Sequence, residues 1–306
     1  MNKTINYSED GVVYLNQEKY DLAFTAIEKA LEANPKDIHS YYMLGLLYEK
    51  SAEYDKARRY YKKVIQLNRL HSNAHYKIGA SYRFENRHSL AIKWYKKALE
   101  LKSDNVNIFC DLGIIYEQKR EYDLAIEWYK KGLTVSPGHV DSICNMGIAY
   151  CLQGKYDLAI EQYQKALDIN PEHLNSCTNL ATTYHMKGNY IAAKHWYEET
   201  LRIEPNEIHA CSNLGILCDE QNNPELAIQW FYKALNINPL YINTYYSLGL
   251  IYLKQDKNLL AIETFEKVLT LEPRDILALH KLAFIYATKG EYEKAVECLN
   301  KLLELN

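Results

Sequence analysis

The sequence predicts an all-α fold made of repeated helix pairs, and three observations carry that prediction. A small residue returns every 34 positions, as Gly11, Gly45, Gly79, Gly113, Gly147, Ala181, Gly215, Gly249 and Ala283. Alanine recurs twelve positions after each of them, from Ala23 and Ala57 through to Ala295. Around these markers the apolar residues form two stripes of helical period, separated by a turn signal. Taking the small residue as position 8 divides the chain into nine units without insertion or deletion: 4–37, 38–71, 72–105, 106–139, 140–173, 174–207, 208–241, 242–275 and 276–306. No linker or composition break interrupts them, so 1–306 is expected to be one domain.

Each element has a local justification. Positions 4, 7, 8 and 11 share one stripe of a first helix, and positions 20, 24, 27 and 28 share one stripe of a second. Gly or Ala at position 8 and Ala at position 20 let the helices approach closely. Position 11 is Tyr in every unit except at Cys218, and position 24 is aromatic from Tyr61 to Phe265, with Ile27 and Leu299 at the two ends. Gln153-Gly154-Lys155-Tyr156 and Lys187-Gly188-Asn189-Tyr190 put glycine where the first helix must stop. Pro35, Pro137, Pro171, Pro205, Pro239 and Pro273 at position 32 end the second helix, because the residue before proline is driven out of the α region. Arg69 and Ser103 depart from that rule. One unit cannot bury its own apolar stripe, so neighbours must stack. Glu9 and Asp10 stand where an apolar residue would pack in the first unit, as suits a solvent-facing cap.

The pattern Leu-Gly-x-x-Tyr (Leu44-Gly45 with Tyr48, Leu112-Gly113 with Tyr116, Leu248-Gly249 with Tyr252), with Ala at position 20 and Pro at 32, resembles the tetratricopeptide repeat (TPR) family over essentially the whole chain. The resemblance implies antiparallel helix pairs stacked in a right-handed superhelix, with the first helices lining a concave groove. It also implies a protein or peptide partner rather than catalysis.

Composition narrows the alternatives. Lys and Arg number 36 against 39 Asp and Glu, a net charge of −3, which argues against nucleic acid or an anionic membrane as the main partner. No run approaches the roughly 18 apolar residues of a membrane span, and the polar start MNKTINYSED lacks a signal-peptide core. A cytoplasmic setting with seven reduced thiols fits best. Cys144 and Cys151, like Cys211 and Cys218, are two helical turns apart, roughly 10 Å, too far for Zn–S bonds of about 2.3 Å within one helix. No phosphate loop or nucleophile motif is present, so no metal, cofactor or catalytic residue is expected.

Candidate binding residues are those of the first helix not needed for packing, at positions 2, 5, 6, 9, 12 and 13. Asn145, Asn179 and Asn213 occupy position 6 of three consecutive units, although Asn is a mediocre helix former. An amide offers both donors and an acceptor, so such a row suits the backbone of an extended or helical partner segment. Similar asparagine ladders occur in the TPR region of the O-linked N-acetylglucosamine transferase. Asn175 and Asn243 would extend the lining; Lys77, Arg83 and Asp111 would set register, and Tyr42, Tyr76 and Tyr246 at position 5 would give amphipathic contacts. The absence of Lys from position 5 argues against the family's two-carboxylate clamp. Trp94, Trp128, Trp196 and Trp230 all occupy position 23, where an indole packing at the edge of the inter-repeat core is favoured over a stacking platform.

The last unit carries Val296, Leu299, Leu302, Leu303 and Leu305 with no polar helix after them. Either the chain continues in a longer protein, or Leu299, Leu302 and Leu303 form an assembly face for a partner or a second copy. A spacer or assembly subunit working through that end and the convex face is therefore the alternative to groove recognition.

Overall fold

The computed structural model describes residues 7–101 and 103–305. These form eighteen α-helices, with no strand among the described residues. Residues 1–154 and residues 155–306 each form a compact unit; the division falls in the turn inside the fifth repeat.

The first unit holds α1 (Tyr7–Asn16), α2 (Tyr20–Ala33), α3 (Ile38–Lys50), α4 (Tyr54–Leu67) and α5 (Ser72–Phe84). It continues with α6 (His88–Glu100), α7 (Val106–Gln118), α8 (Tyr122–Val135) and α9 (Val140–Leu152). The second unit holds α10 (Tyr156–Ile169), α11 (Leu174–Met186), α12 (Tyr190–Ile203), α13 (Ile208–Glu220) and α14 (Pro224–Ile237). It ends with α15 (Ile242–Lys254), α16 (Asn258–Leu271), α17 (Ile276–Thr288) and α18 (Tyr292–Leu303). The first helix of a repeat thus covers positions 1–13 and the second begins at position 17.

The helix ends follow from backbone bonding. Before the first helices, the side chains of Asp37, His71, Asn105, His139, Glu207 and Asp275 accept backbone N–H groups that the helix leaves unpaired. After α3, the Glu53 N–H reaches back to the Tyr48 carbonyl at 2.8 Å, a Schellman closure. The same bond recurs at 2.8–2.9 Å from Lys19, Arg87, Glu121, Asn189, Asn223, Lys257 and Glu291. Asn34, which precedes Pro35, is extended (φ −138°, ψ 93°), and Asn68 is the same (φ −140°, ψ 98°) although Arg69 follows it. Proline therefore reinforces a stop that the repeat geometry makes on its own.

The core is built around position 24. Tyr61, Tyr95, Tyr129, Tyr163, Tyr197, Phe231 and Phe265 are each at most 1% exposed. The position-8 glycine is what admits the ring: a Cβ on Gly45 would stand 2.3 Å from Tyr61, and one on Gly113 would stand 2.2 Å from Tyr129. Ala181 is buried in one cluster with Tyr197, so a methyl at position 8 is accommodated there. The alanines at position 20 are buried, and apolar clusters join each repeat to the next within a unit, as Ala57, Tyr61 and Val64 join Ala74 and Ile78. Glu9 and Asp10 are exposed, as expected of a polar cap.

Candidate partner-binding face

In the first unit, positions 6 and 12 of successive first helices meet. Glu49 on α3 takes an ion pair from Lys77 on α5 at 2.8 Å, and the Tyr61 hydroxyl donates to the same carboxylate at 2.8 Å. One repeat on, the signs reverse: Arg83 on α5 faces Asp111 on α7, with Nε 3.2 Å from Oδ1, and the Tyr95 hydroxyl donates to Asp111 at 2.8 Å. That Nε is close enough for ion pairing but is not aligned as a hydrogen-bond donor. Tyr129 donates to Glu117 at 3.3 Å. Burial raises the Asp111 carboxyl above its ordinary value, with Arg83 and the Tyr95 and Tyr76 hydroxyls pulling the other way; burial also raises Glu117.

These placements revise the charge expectation. Lys77, Arg83 and Asp111 are not free rim charges: each is partnered by an opposite charge, and Asp111 is buried. Tyr76 stacks on Tyr95 (centroids 5.8 Å), Tyr42 lies tilted against Tyr61 (5.5 Å), and Tyr246 meets Phe265 edge-on (5.6 Å). All three are half-buried; burial first, then Glu49, pushes the Tyr42 hydroxyl up to about 12.

The position-6 asparagines are half-buried in both units. Asn145 on α9 donates from Nδ2 to Cys110 Sγ at 3.3 Å. Asn213 on α13 hydrogen-bonds the Tyr197 hydroxyl, whose pKa is pushed up to about 12 by burial against that bond and the one to Thr182. Position 6 thus abuts the position-24 ring of the preceding repeat, a packing role that sequence reasoning missed. Asp111 does the same for Tyr95, so the shared placement was visible only once the repeats were stacked. Asn175 on α11 and Asn243 on α15 are exposed one turn earlier. On the second unit, His185 reaches Glu220 at 2.8 Å and Lys254 reaches Asp219 at 2.6 Å, linking adjacent first helices.

Among the described residues no three His, Cys, Asp or Glu side chains converge on a metal position. None of the seven cysteines forms a disulfide, and burial pushes Cys110 up to about 11, so it stays protonated near neutrality. No helix among the described residues is long and apolar enough to cross a membrane.

On α18, Leu299 (47%) and Leu303 (72%) are exposed together with Val296, whereas Leu302 is half-buried and packs against the core cluster.

Known proteins place this architecture. Tetratricopeptide repeat models match residues 139–206, 26–59 and 276–306, and another matches 11–37, 106–139, 208–239 and 242–275. A TPR repeat model matches 81–120. No curated protein sequence matches the chain. Among solved structures, a chain of the APC/C hetero-tetramer Cut9–Hcn1 is similar at 19% identity and a TM-score of 0.66, over 82% of this chain and 49% of that one. This chain therefore spans about half the length of that relative. The human IFIT1 dimer with PPP-AAAA is similar at 19% identity and a TM-score of 0.63, over 98% of this chain and 72% of that one. At such identities the likeness is one of fold. With nine units in register and repeat models matching along its length, the chain belongs to the tetratricopeptide repeat family.

Proposed function

We propose that the protein is a non-enzymatic scaffold whose first-helix face holds an extended or helical segment of a partner protein. The observation that carries this reading is the neutral, half-buried amide at position 6: Asn145 on the first unit, Asn179 and Asn213 on the second. An Asn offers two N–H donors and a carbonyl acceptor, and the bond from Asn145 to Cys110 uses a single donor. Amides fixed by packing can bond a peptide backbone without reading its side chains, at little ordering cost. The ionised groups nearby are already neutralised by one another. The same pairing, with the net charge of −3, disfavours a nucleic-acid ligand, which needs unpaired cations. A second reading, assembly through α18, rests on exposed Leu299 and Leu303 at positions that are covered in the interior repeats.

The test compares affinity capture by wild type and by the triple variant Asn145→Ala, Asn179→Ala, Asn213→Ala, with circular dichroism confirming that both fold. Partners lost from the variant alone are the expected result. The same partners on both would sink the amide reading and direct attention to Leu299 and Leu303.

A further inference from the structure

Residues 155–306 carry a cavity at a position, 23, where four other repeats place an indole. Position 23 of the third, fourth and seventh units is Trp94, Trp128 and Trp230, each half-buried. Trp94 and Trp128 pack back against the core of the preceding repeat, as Trp230 does against the cluster of Tyr197 and Leu214. The position-4 residue of the same unit faces the indole: His75 lies 5.7 Å from Trp94 and Phe109 lies 6.3 Å from Trp128. A lysine at position 26 stands over each ring, with Lys97, Lys131 and Lys233 at 4.7, 4.5 and 4.9 Å.

In the eighth unit position 23 is Thr264. Every other part of the arrangement remains. A cavity of about 430 Å³ opens between α14, α15 and α16, lined by Tyr245 at position 4, Leu248, Tyr252, Thr264 and Lys267, with Tyr232 from the preceding repeat. Leu248 is buried and forms the floor. The hydroxyls of Tyr232 and Tyr252 meet at 3.1 Å and bind one wall to the other. Lys267 is the position-26 lysine; it is exposed and no ion pair engages it among the described residues. The ninth unit has a comparable opening at Cys298, of about 420 Å³, but its position-4 residue is Leu279 and its rim cations are paired with Glu291 and Glu297.

We propose that the Thr264 cavity is a docking site for a tryptophan side chain of a partner polypeptide. The occupant follows from the chain itself. At two sister positions, Trp94 and Trp128, an indole lies between a position-4 ring and a position-26 lysine, and Trp230 carries the lysine alone; at Trp196 position 26 is Glu199. In the eighth repeat the lysine and an aromatic position-4 residue, Tyr245, are in place without the indole. The ring would bury its apolar faces against Tyr245 and Leu248 and take the Lys267 ammonium over its face. This site lies between two second helices, α14 and α16, and the first helix α15; it uses none of the position-6 amides and is independent of the amide reading above.

The experiment uses the full chain and a blocked pentapeptide, Gly-Gly-Trp-Gly-Gly carrying 5-fluorotryptophan, followed by fluorine NMR. Wild type is expected to shift and broaden the signal, and the triple asparagine variant to do so equally. Thr264→Trp supplies the indole internally, so it should raise the melting temperature and weaken the peptide at least about tenfold, the equivalent of one buried ring. Lys267→Gln, at an exposed position that leaves folding untouched, should weaken it about two- to fivefold. An unchanged signal with wild type overturns the proposal, as does equal binding to Thr264→Trp or a fall in that variant's melting temperature. Free 5-fluoroindole should compete with the peptide for the same site; peptide binding that excess indole leaves unchanged would also overturn the proposal.

Discussion

At the scale of single residues, Asp111 concentrates the tension between burial and pairing. The carboxylate is 7% exposed, faces Arg83, and accepts the Tyr95 hydroxyl. Burial is the largest influence and raises its pKa; Arg83 is the largest of those opposing it. The folded state therefore binds the proton more readily than the unfolded chain does. For a raised carboxyl the stabilising contribution is full below the unfolded value of 3.8 and is lost as pH rises through the higher folded value. Asp111→Asn keeps an acceptor for Tyr95 and resembles the neutral carboxyl that burial favours, so it should change stability little at neutral pH. Wild type should then gain on the variant as pH is lowered from 7 toward 4, because only wild type takes up the proton. Urea unfolding of both proteins across that range measures it. A wild type that loses ground to the variant in acid would mean that the Arg83 pair outweighs burial and that the carboxyl is depressed.

At the scale of the helix-turn-helix element, position 15 is left-handed in all nine repeats. Gly154, Gly188 and Gly290 adopt φ of 73–77° there, but so do Glu18, Ala52 and Asn222 near 56–57°, and Arg120 at 61°. The Schellman bond to the position-11 carbonyl imposes this conformation whatever the side chain. The sequence shows the turn plainly only where glycine stands, because glycine alone has no steric objection to positive φ. Elsewhere the spacing, and not the residue type, reveals it. Ala52→Gly and Arg120→Gly should each stabilise the fold by about 0.5–1 kcal/mol, the left-handed strain relieved minus the added chain entropy. Asn222→Gly should be near neutral, since Asn tolerates this region. Thermal or urea melts of the three variants decide the matter; a destabilised Ala52→Gly would show that backbone entropy exceeds the strain.

At the scale of the whole molecule, periodicity carries the fold and says little about surface chemistry. The 34-residue spacing and Ala23 to Ala295 are enough to set the helix pairs and the buried position 24. The repeat averages out what distinguishes one unit from the next, and those distinctions make the sites. Asp111 is expected from sequence to set a partner's register, because its helix position alone does not reveal that Tyr95 of the preceding repeat lies against it. Leu302 is grouped with Leu303 by sequence, yet a helix turns by about 100° per residue, and that rotation lays it half-buried against the core cluster. Energetically the same locality holds, since the apolar clusters join adjacent repeats. Leu282 is 2% exposed within the cluster that spans the last three repeats. Leu282→Ala removes about 2–5 kcal/mol of packing there. Hydrogen exchange read by mass spectrometry should show protection falling across α15 to α18 while α3 to α7 keep theirs, because each repeat is stabilised by its neighbours and not by the chain as a whole. Protection lost evenly from α3 to α18 would instead mean that all the repeats unfold as one cooperative block, the behaviour expected if residues 1–306 act as a single domain.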